Sequence, residues 1–328
     1  MSRKDAKRPR SEAQPSEGGP PLRFVTGESD EGERLDVALA ALAGISRSQA
    51  RRWIDEGRVR VDGEPGRASQ HVALGAVLEA VAPEPAPSPL APEPIALAIL
   101  YEDEDLIVID KPAWLVVHPA PGHPGGTLVN ALLHHCGDLS GVGGVLRPGI
   151  VHRLDRGTSG VLVAAKHDAV HQSLARQFEE HSVEREYRVL VRGLPASDTG
   201  QVDRPLGRHP SDRKRMSVAA RGRVREARTA WRVLRRFGAS GITLLAVHPE
   251  TGRTHQIRVH LASAGLPILG DPVYGRAARA PALARPALHA VVLGFTHPRT
   301  GVRMRFEAPL PADFAELVGA LERREAAG

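Results

Sequence analysis

The run Gly149-Ile150-Val151-His152-Arg153-Leu154-Asp155-Arg156-Gly157-Thr158-Ser159-Gly160 gathers reactive groups into one short stretch. It sets a carboxylate, Asp155, in a cationic, glycine-flanked turn, and the apolar segment Val161-Leu162-Val163-Ala164-Ala165 follows. A guanidinium beside such an acid can hold it ionised. The acid can then act as a nucleophile or a base. A buried Arg–Asp pair that only fixes the turn accounts for His152-Arg153-Leu154-Asp155 as well, because structural ion pairs perturb carboxylates too. A second stretch is equally dense: Thr251-Gly252-Arg253-Thr254-His255-Gln256-Ile257-Arg258-Val259-His260. Its Arg258 is a candidate partner for Asp155. His255 and His260 do not have the i, i+4 spacing of two ligands on one helical face, and no third ligand pattern lies nearby. No metal site is expected there. A histidine hydrogen-bonded to backbone accounts for either one.

Other chemistries can be tested against the same letters. No Gly-x-x-x-x-Gly-Lys-Ser/Thr loop is present, which disfavours P-loop hydrolysis. His152-Arg153-Leu154-Asp155 differs from a kinase catalytic loop by the inserted Leu154, and no Gly-rich loop or Asp-Phe-Gly accompanies it. The His-x-Glu and Pro-Cys-x-x-Cys pair of a zinc deaminase is missing. Gly157-Thr158-Ser159-Gly160 has the wrong spacing for a serine-hydrolase elbow. The single cysteine, Cys136, excludes an internal disulfide framework and a multi-cysteine zinc site. It fits a reducing, cytoplasmic compartment. Cys136 follows His134 and His135, but Ala131-Leu132-Leu133 before them reads as an ordinary helix.

The elements that must position these groups follow from pattern. The 328 residues suggest two domains, and 41% apolar content supports a substantial core. Aromatics make up only 4%, so aliphatic side chains must fill most of it. The net charge of +6 favours a polyanionic partner. No apolar run approaches the roughly 18 residues needed to span a membrane. Residues 1–21 are charged and rich in Pro, Gly and Ser, lack the apolar core of a signal peptide, and read as a disordered tail. Residues 22–82 form a small module. Leu35, Val37, Ala38, Ala41 and Leu42 recur at helical spacing. Ser46 is a natural N-cap for a second helix over 47–56, which Gly57 closes. Arg58-Val59-Arg60-Val61 alternates as a strand, Asp62-Gly63 signals a hairpin turn, and residues 72–81 supply more strand. Arg47, Arg51 and Arg52, with Arg58 and Arg60, give this module a basic face suited to a phosphate backbone, or simply a solvated one. Prolines at alternate positions through residues 83–94 make an extended spacer.

Residues 95–328 read as one large domain. Strands are expected at 99–101, 106–109, 161–165, 187–191 and 242–247, and helices at 127–135, 169–180 and 254–264. Phe314, Leu317, Val318 and Leu321 share one face of a C-terminal helix. Strands outnumber simple strand–helix–strand alternations. The expected class is α+β, a mixed, largely antiparallel central sheet flanked by helices, preceded by a small N-terminal α/β domain. The basic, turn-rich stretch Arg208-His209-Pro210-Ser211-Asp212-Arg213-Lys214-Arg215 is expected to touch phosphates, a solvated loop being the alternative.

Several motifs in order carry a resemblance. They are Lys111-Pro112, Val116-Val117-His118-Pro119, Gly126-Thr127-Leu128-Val129-Asn130-Ala131-Leu132-Leu133, the Gly149 to Gly160 run, Arg185-Glu186-Tyr187, Arg204-Pro205-Leu206-Gly207-Arg208-His209-Pro210, the Thr251 to His260 run, and Gly270-Asp271-Pro272-Val273-Tyr274-Gly275. Together they resemble the RluA-type pseudouridine synthases, closest to the RluD branch, which acts on large-subunit ribosomal RNA. Arg34-Leu35-Asp36, Ser46-Arg47-Ser48-Gln49-Ala50 and Gly57-Arg58-Val59-Arg60-Val61-Asp62-Gly63 resemble the S4-type RNA-binding module. The resemblance implies the pseudouridine synthase catalytic fold and isomerisation of uridine in RNA. It implies that Asp155 initiates glycosidic cleavage, that Tyr187 stacks on the target base and can assist proton removal, and that Arg258 pairs with the aspartate. Arg153, with its neighbour His152, would help keep the target nucleotide out of its helix, since a stacked base could not turn over. The route of the aspartate (attack on ribose, attack on base, or proton removal) stays open. No cofactor or metal is implied, because the isomerisation is redox-neutral. The implied partner is RNA, as large-subunit ribosomal RNA or a ribosomal precursor particle, met by a cytoplasmic monomer. A transfer-RNA synthase and a non-catalytic ribosome-assembly factor are the alternatives. Two departures stand out: Trp114 where relatives often have glycine, and Arg185 where lysine is common.

Overall fold

The computed structural model describes residues 21–83, 90–119, 124–136, 149–212, 215–220, 222, 224–275 and 283–327. Most of the expected tail, part of the proline-rich spacer, and Arg213 and Lys214 lie outside the described residues. The chain divides into two compact units between residues 86 and 87.

In the first unit the order is β1 (Leu22–Val25), α1 (Leu35–Ala43), α2 (Arg47–Asp55), β2 (Val59–Val61), β3 (Glu64–Pro65) and β4 (Val77–Ala80). The strands form one antiparallel sheet, ordered β1-β4-β2-β3. Ser46 caps α2 as expected. Its Oγ accepts from Gln49 N at 3.2 Å, and Gln49 Oε1 accepts from Ser46 N at 3.0 Å, closing a capping box. Leu35, Leu39, Trp53, Ile54, Val59 and Leu78 make the core. The strand expected over 72–81 is shorter, because Gly75 sits at φ +77° and turns the chain just before Val77.

The second unit holds β5 (Ala98–Glu102), β6 (Leu106–Lys111), α3 (Leu128–Cys136), β7 (Ser159–Ala165), α4 (Asp168–Glu179), β8 (Glu184–Arg192), β9 (Thr199–Asp203), β10 (Gly207–Arg208), β11 (Met216–Ser217), β12 (Arg228–Phe237), β13 (Ile242–Pro249), α5 (Gln256–Ser263), β14 (Leu288–Thr296), β15 (Arg303–Glu307) and α6 (Ala312–Ala326). Its central sheet runs β5-β6-β7-β14-β8-β13-β12-β9, with β15 added beside β14. Among the described strands of this sheet, only β7 and β14 pair in parallel; every other neighbour is antiparallel. The mixed, largely antiparallel α+β class holds. No described helix is long and apolar enough to cross a membrane.

Two apolar clusters support the sheet. One joins β6 and β7 to α3 and α4. The other joins β8, β13 and β14 to α5 and to Phe314, Leu317, Val318 and Leu321 of α6. All seven residues of β7 are buried. Ala290 of β14 pairs with Gly160 on one side and with Tyr187 on the other. That one residue sets the turn before β7 beside the start of β8.

Candidate active site

Asp155 stands in the turn that enters β7, and Thr158 N donates to its carbonyl at 3.0 Å. Arg285 holds this turn from below: it is 2% exposed, forks onto Asp313 of α6 at 2.7 Å through both Nε and Nη2, and its Nη1 donates to Gly157 O at 3.3 Å. The Asp155 side chain is 18% exposed and lines a cleft of about 510 Å³. That volume falls within the range of about 300–1,000 Å³ usual for small-ligand sites.

Arg258 reaches the same cleft from α5. Its Nη1 donates to Asp155 Oδ2 at 3.0 Å. Its other edge is taken by Asp271, with Nε to Oδ2 at 2.7 Å and Nη2 to Oδ1 at 2.9 Å. Asp271 is fully buried and also accepts from the amides of Val273 and Tyr274. Burial favours the uncharged form of each. The mutual hydrogen bonds and charges overcome it, raising the pKa of Arg258 and lowering that of Asp271. The guanidinium is a fixed positive charge, aimed by one carboxylate at another.

Around this pair lies a tyrosine–histidine relay. Tyr274 has its ring 5.1 Å from the Arg258 guanidinium carbon, and its hydroxyl accepts from Met216 N at 2.8 Å. His255 Nδ1 lies 2.9 Å from that hydroxyl, and its Nε2 lies 3.9 Å from Asp155 Oδ2. Burial lowers the pKa of His255, which favours the neutral ring. The network is satisfied when Tyr274 donates to Nδ1, leaving the proton on Nε2 facing Asp155.

Tyr187 lines the cleft from β8. Burial raises its pKa, Arg185 opposes this and Asp155 adds to it, so the phenol keeps its proton at neutral pH. Arg185 lines the cleft two residues earlier. Its Nη2 donates to Glu250 O at 2.9 Å, its guanidinium carbon lies 5.6 Å from the Phe178 ring, and its Nε has no hydrogen-bond partner among the described residues. Lys111 is fully buried beneath the site. Its Nζ donates to Pro112 O at 2.7 Å and Leu115 O at 3.0 Å. Burial pulls its pKa down to about 7 against the charge of Asp155.

The residues expected from sequence divide into groups. Asp155, Tyr187, Arg258, Arg153 and His152 meet at the cleft. Arg153 is exposed there. His152 is engaged with the scaffold: its ring stacks on Phe178 at 4.5 Å, and its Nε2 accepts from Val163 N at 3.1 Å. Burial lowers its pKa to about 3, so it stays neutral. Arg215 lies over the Tyr274 ring at 5.4 Å and so joins the site network, while Arg208 is exposed on β10. Arg47, Arg51 and Arg52 are exposed on α2 in the other unit. Arg47 pairs with buried Asp36 at 3.1 Å, and Arg51 with Asp55 at 3.6 Å. His260 is fully buried and bonded to Thr229 Oγ1 and to the Arg204 carbonyl, each at 2.9 Å.

Sequence reasoning assigns no site role to Asp271, Tyr274, Lys111 or Arg185. Asp271 and Tyr274 are legible only as a motif, Gly270 to Gly275, far along the chain from Asp155. For Arg185, its place two residues before Tyr187 on one strand face is the available signal.

The chain is similar to known proteins over most of its length. The RNA pseudouridylate synthase family model matches residues 105–263, and the S4 domain model matches residues 33–78. Ribosomal large subunit pseudouridine synthase D of Pseudomonas aeruginosa is 46% identical, over 90% of this chain and 94% of its own. The protein of the same name from Nitrosomonas europaea is 49% identical, over 88% and 85%. The solved structure of Human RNA Pseudouridylate Synthase Domain Containing 1 superposes with a TM-score of 0.54 at 25% identity, covering 70% of this chain and 97% of that one. A sheet of this order, a cleft holding Asp155 against Arg258, and relatives matched over nearly the whole length lead to one conclusion: the chain belongs to the RNA pseudouridine synthases, isomerases that act on RNA, and carries an S4 domain at its N-terminal side.

Proposed function

We propose that the protein isomerises specific uridines of large-subunit ribosomal RNA, with Asp155 as the group that starts glycosidic cleavage. The observation that carries this reading is the Asp155 carboxylate at the cleft, 3.0 Å from an arginine that Asp271 holds in place, with Tyr187 on the same wall. In the reaction the bond from ribose C1′ to uracil N1 breaks, the base turns, and a bond from C1′ to C5 forms. The C5 proton is lost and N1 gains one, so atoms and electrons balance without an external oxidant or reductant. Arg258 orients Asp155 and offsets its charge in a partly enclosed cleft. Tyr187, keeping its proton, serves to stack on the uracil rather than to remove a proton as phenolate. Arg153, which lines the cleft, holds the extruded nucleotide in this reading, a step the chemistry requires.

Residues 22–82 bind RNA in this reading, and residues 95–328 carry the chemistry. Arg47, Arg51, Arg52, Arg208 and Arg215 meet phosphates, which adds affinity without reading sequence. The relatives named for the ribosomal large subunit support that target. The protein acts as a cytoplasmic monomer.

Asp155→Asn is expected to abolish pseudouridine formation while RNA binding persists. Conversion at the wild-type rate by the purified variant would falsify the assignment. Mapping pseudouridines in total RNA after loss of the gene tests the target. Loss in large-subunit ribosomal RNA supports it, loss in transfer RNA moves the substrate, and no loss favours a binding factor.

A further inference from the structure

Trp114 is 52% exposed, and its backbone stands at φ +74°. A bulky side chain in the left-handed region is an outlier, and such strain persists only where the surroundings over-determine it. They do so here. Lys111 Nζ donates to Pro112 O and Leu115 O on either side, and Trp114 N donates to Arg156 O at 2.6 Å. The turn is pinned to the residue that follows Asp155. The indole is not needed for the fold's apolar clusters, which do not include it. It meets the Arg156 guanidinium carbon at 5.6 Å instead. Three of the four non-glycine residues with positive φ among the described residues are Trp114, His181 and His255. The latter two line the cleft, and the fourth, Asp62, sits in a hairpin turn of the other unit.

We infer that Trp114, with Arg156, is a stacking platform for an unpaired nucleobase neighbouring the target uridine. This rests on the reading of the Asp155 cleft as the site that receives RNA. Extruding a uridine leaves its neighbours without a stacking partner, and an exposed indole on the turn bonded to the residue after Asp155 replaces one. Any base has a π-face, so the platform adds affinity and register without demanding a sequence. Its cationic partner, Arg156, suits RNA and does not suit a neutral apolar partner.

The test compares Trp114→Gly and Trp114→Tyr with wild type, using full-length large-subunit ribosomal RNA transcribed in vitro. Glycine tolerates φ +74°, so Trp114→Gly is expected to melt no lower than wild type. It should bind the RNA about ten-fold more weakly, with the loss appearing in KM rather than kcat. Trp114→Tyr keeps a stacking ring and should stay within about three-fold of wild type. Binding of Trp114→Gly equal to wild type overturns the proposal, as does a tyrosine variant as weak as the glycine one. If wild type forms no pseudouridine on this RNA yet binding still depends on the ring, the target reading falls and the platform stands.

Discussion

Arg258 has three nitrogens to place, and Asp271 takes two of them. The third meets Asp155 at 3.0 Å, so the geometry of the acid is set by a residue more than a hundred positions away. A bidentate fork fixes a plane as well as a distance, which a lysine could not do. Buried histidines illustrate the opposite electrostatic case. His289 is fully buried; its Nδ1 lies 2.9 Å from Ser159 Oγ and its Nε2 lies 3.3 Å from Ala308 O. Burial, helped by Arg285 and Arg188, lowers its pKa to about 4. The folded state therefore holds it neutral, while an unfolded chain takes up a proton below about 6.5. Its stability contribution is complete above that pH and is lost as pH falls from about 6.5 toward about 4. Unfolding measurements at pH 6.5 and 4.5 should show about 2 kcal/mol of loss from this residue. His289→Gln should flatten that part of the pH profile.

At the scale of elements, the site depends on one parallel pairing, β7 with β14. Gly160 enters it at φ +115°, and a Cβ there would lie 2.1 Å from the Ala290 carbonyl oxygen. No flexible side chain can move aside, because the obstacle is backbone. Gly160→Ala is expected to cost about 3 kcal/mol or more and to displace the Asp155 turn, read as a lower melting temperature together with lost turnover. The dense Thr251 to His260 run divides its labour along the same lines. Gln256 accepts from Thr251 Oγ1 and Arg253 N and donates to Arg228 O and Thr229 Oγ1, tying the start of α5 to β12. His255 stands just before α5 at φ +56°, a left-handed conformation, which explains why the helix starts at Gln256 and not at Thr254. Much of the motif's polarity thus positions Arg258. The strands β12 and β14 escape pattern reading for physical reasons. Arg232, Arg235 and Arg236 break the apolar alternation of β12, and a bulge between Val233 and Arg235 shifts its phase. β14 is an apolar run whose type periodicity alone does not decide.

For the whole molecule, the proposed function makes the basic side chains of α2 a matter of affinity rather than of chemistry. Arg47 shares buried Asp36 with Arg34, whereas Arg51 and Arg52 make no ion pair with a buried acid among the described residues and are exposed on the helix surface. Replacing Arg51 and Arg52 together with alanine should weaken RNA binding uniformly across sequences. The slope of log affinity against log salt should fall by about one unit for each phosphate that the helix no longer neutralises, with kcat kept. A slope equal to that of wild type would mean that this helix face does not meet the backbone. The sequence alone determined the α+β class, the small basic module, the N-cap at Ser46, and Asp155 as the acid to watch, because periodicity, caps and turn chemistry act over a few residues. It also named Arg258 and Tyr187, through motifs in order. The tertiary structure alone decided that Asp271 aims Arg258, that His152 is committed to Val163 and Phe178, and that Tyr274 joins Arg215 to the site. Those choices turn on which distant carboxylates, amides and rings are brought within about 3 to 5 Å, and sheet order sets that, not spacing along the chain.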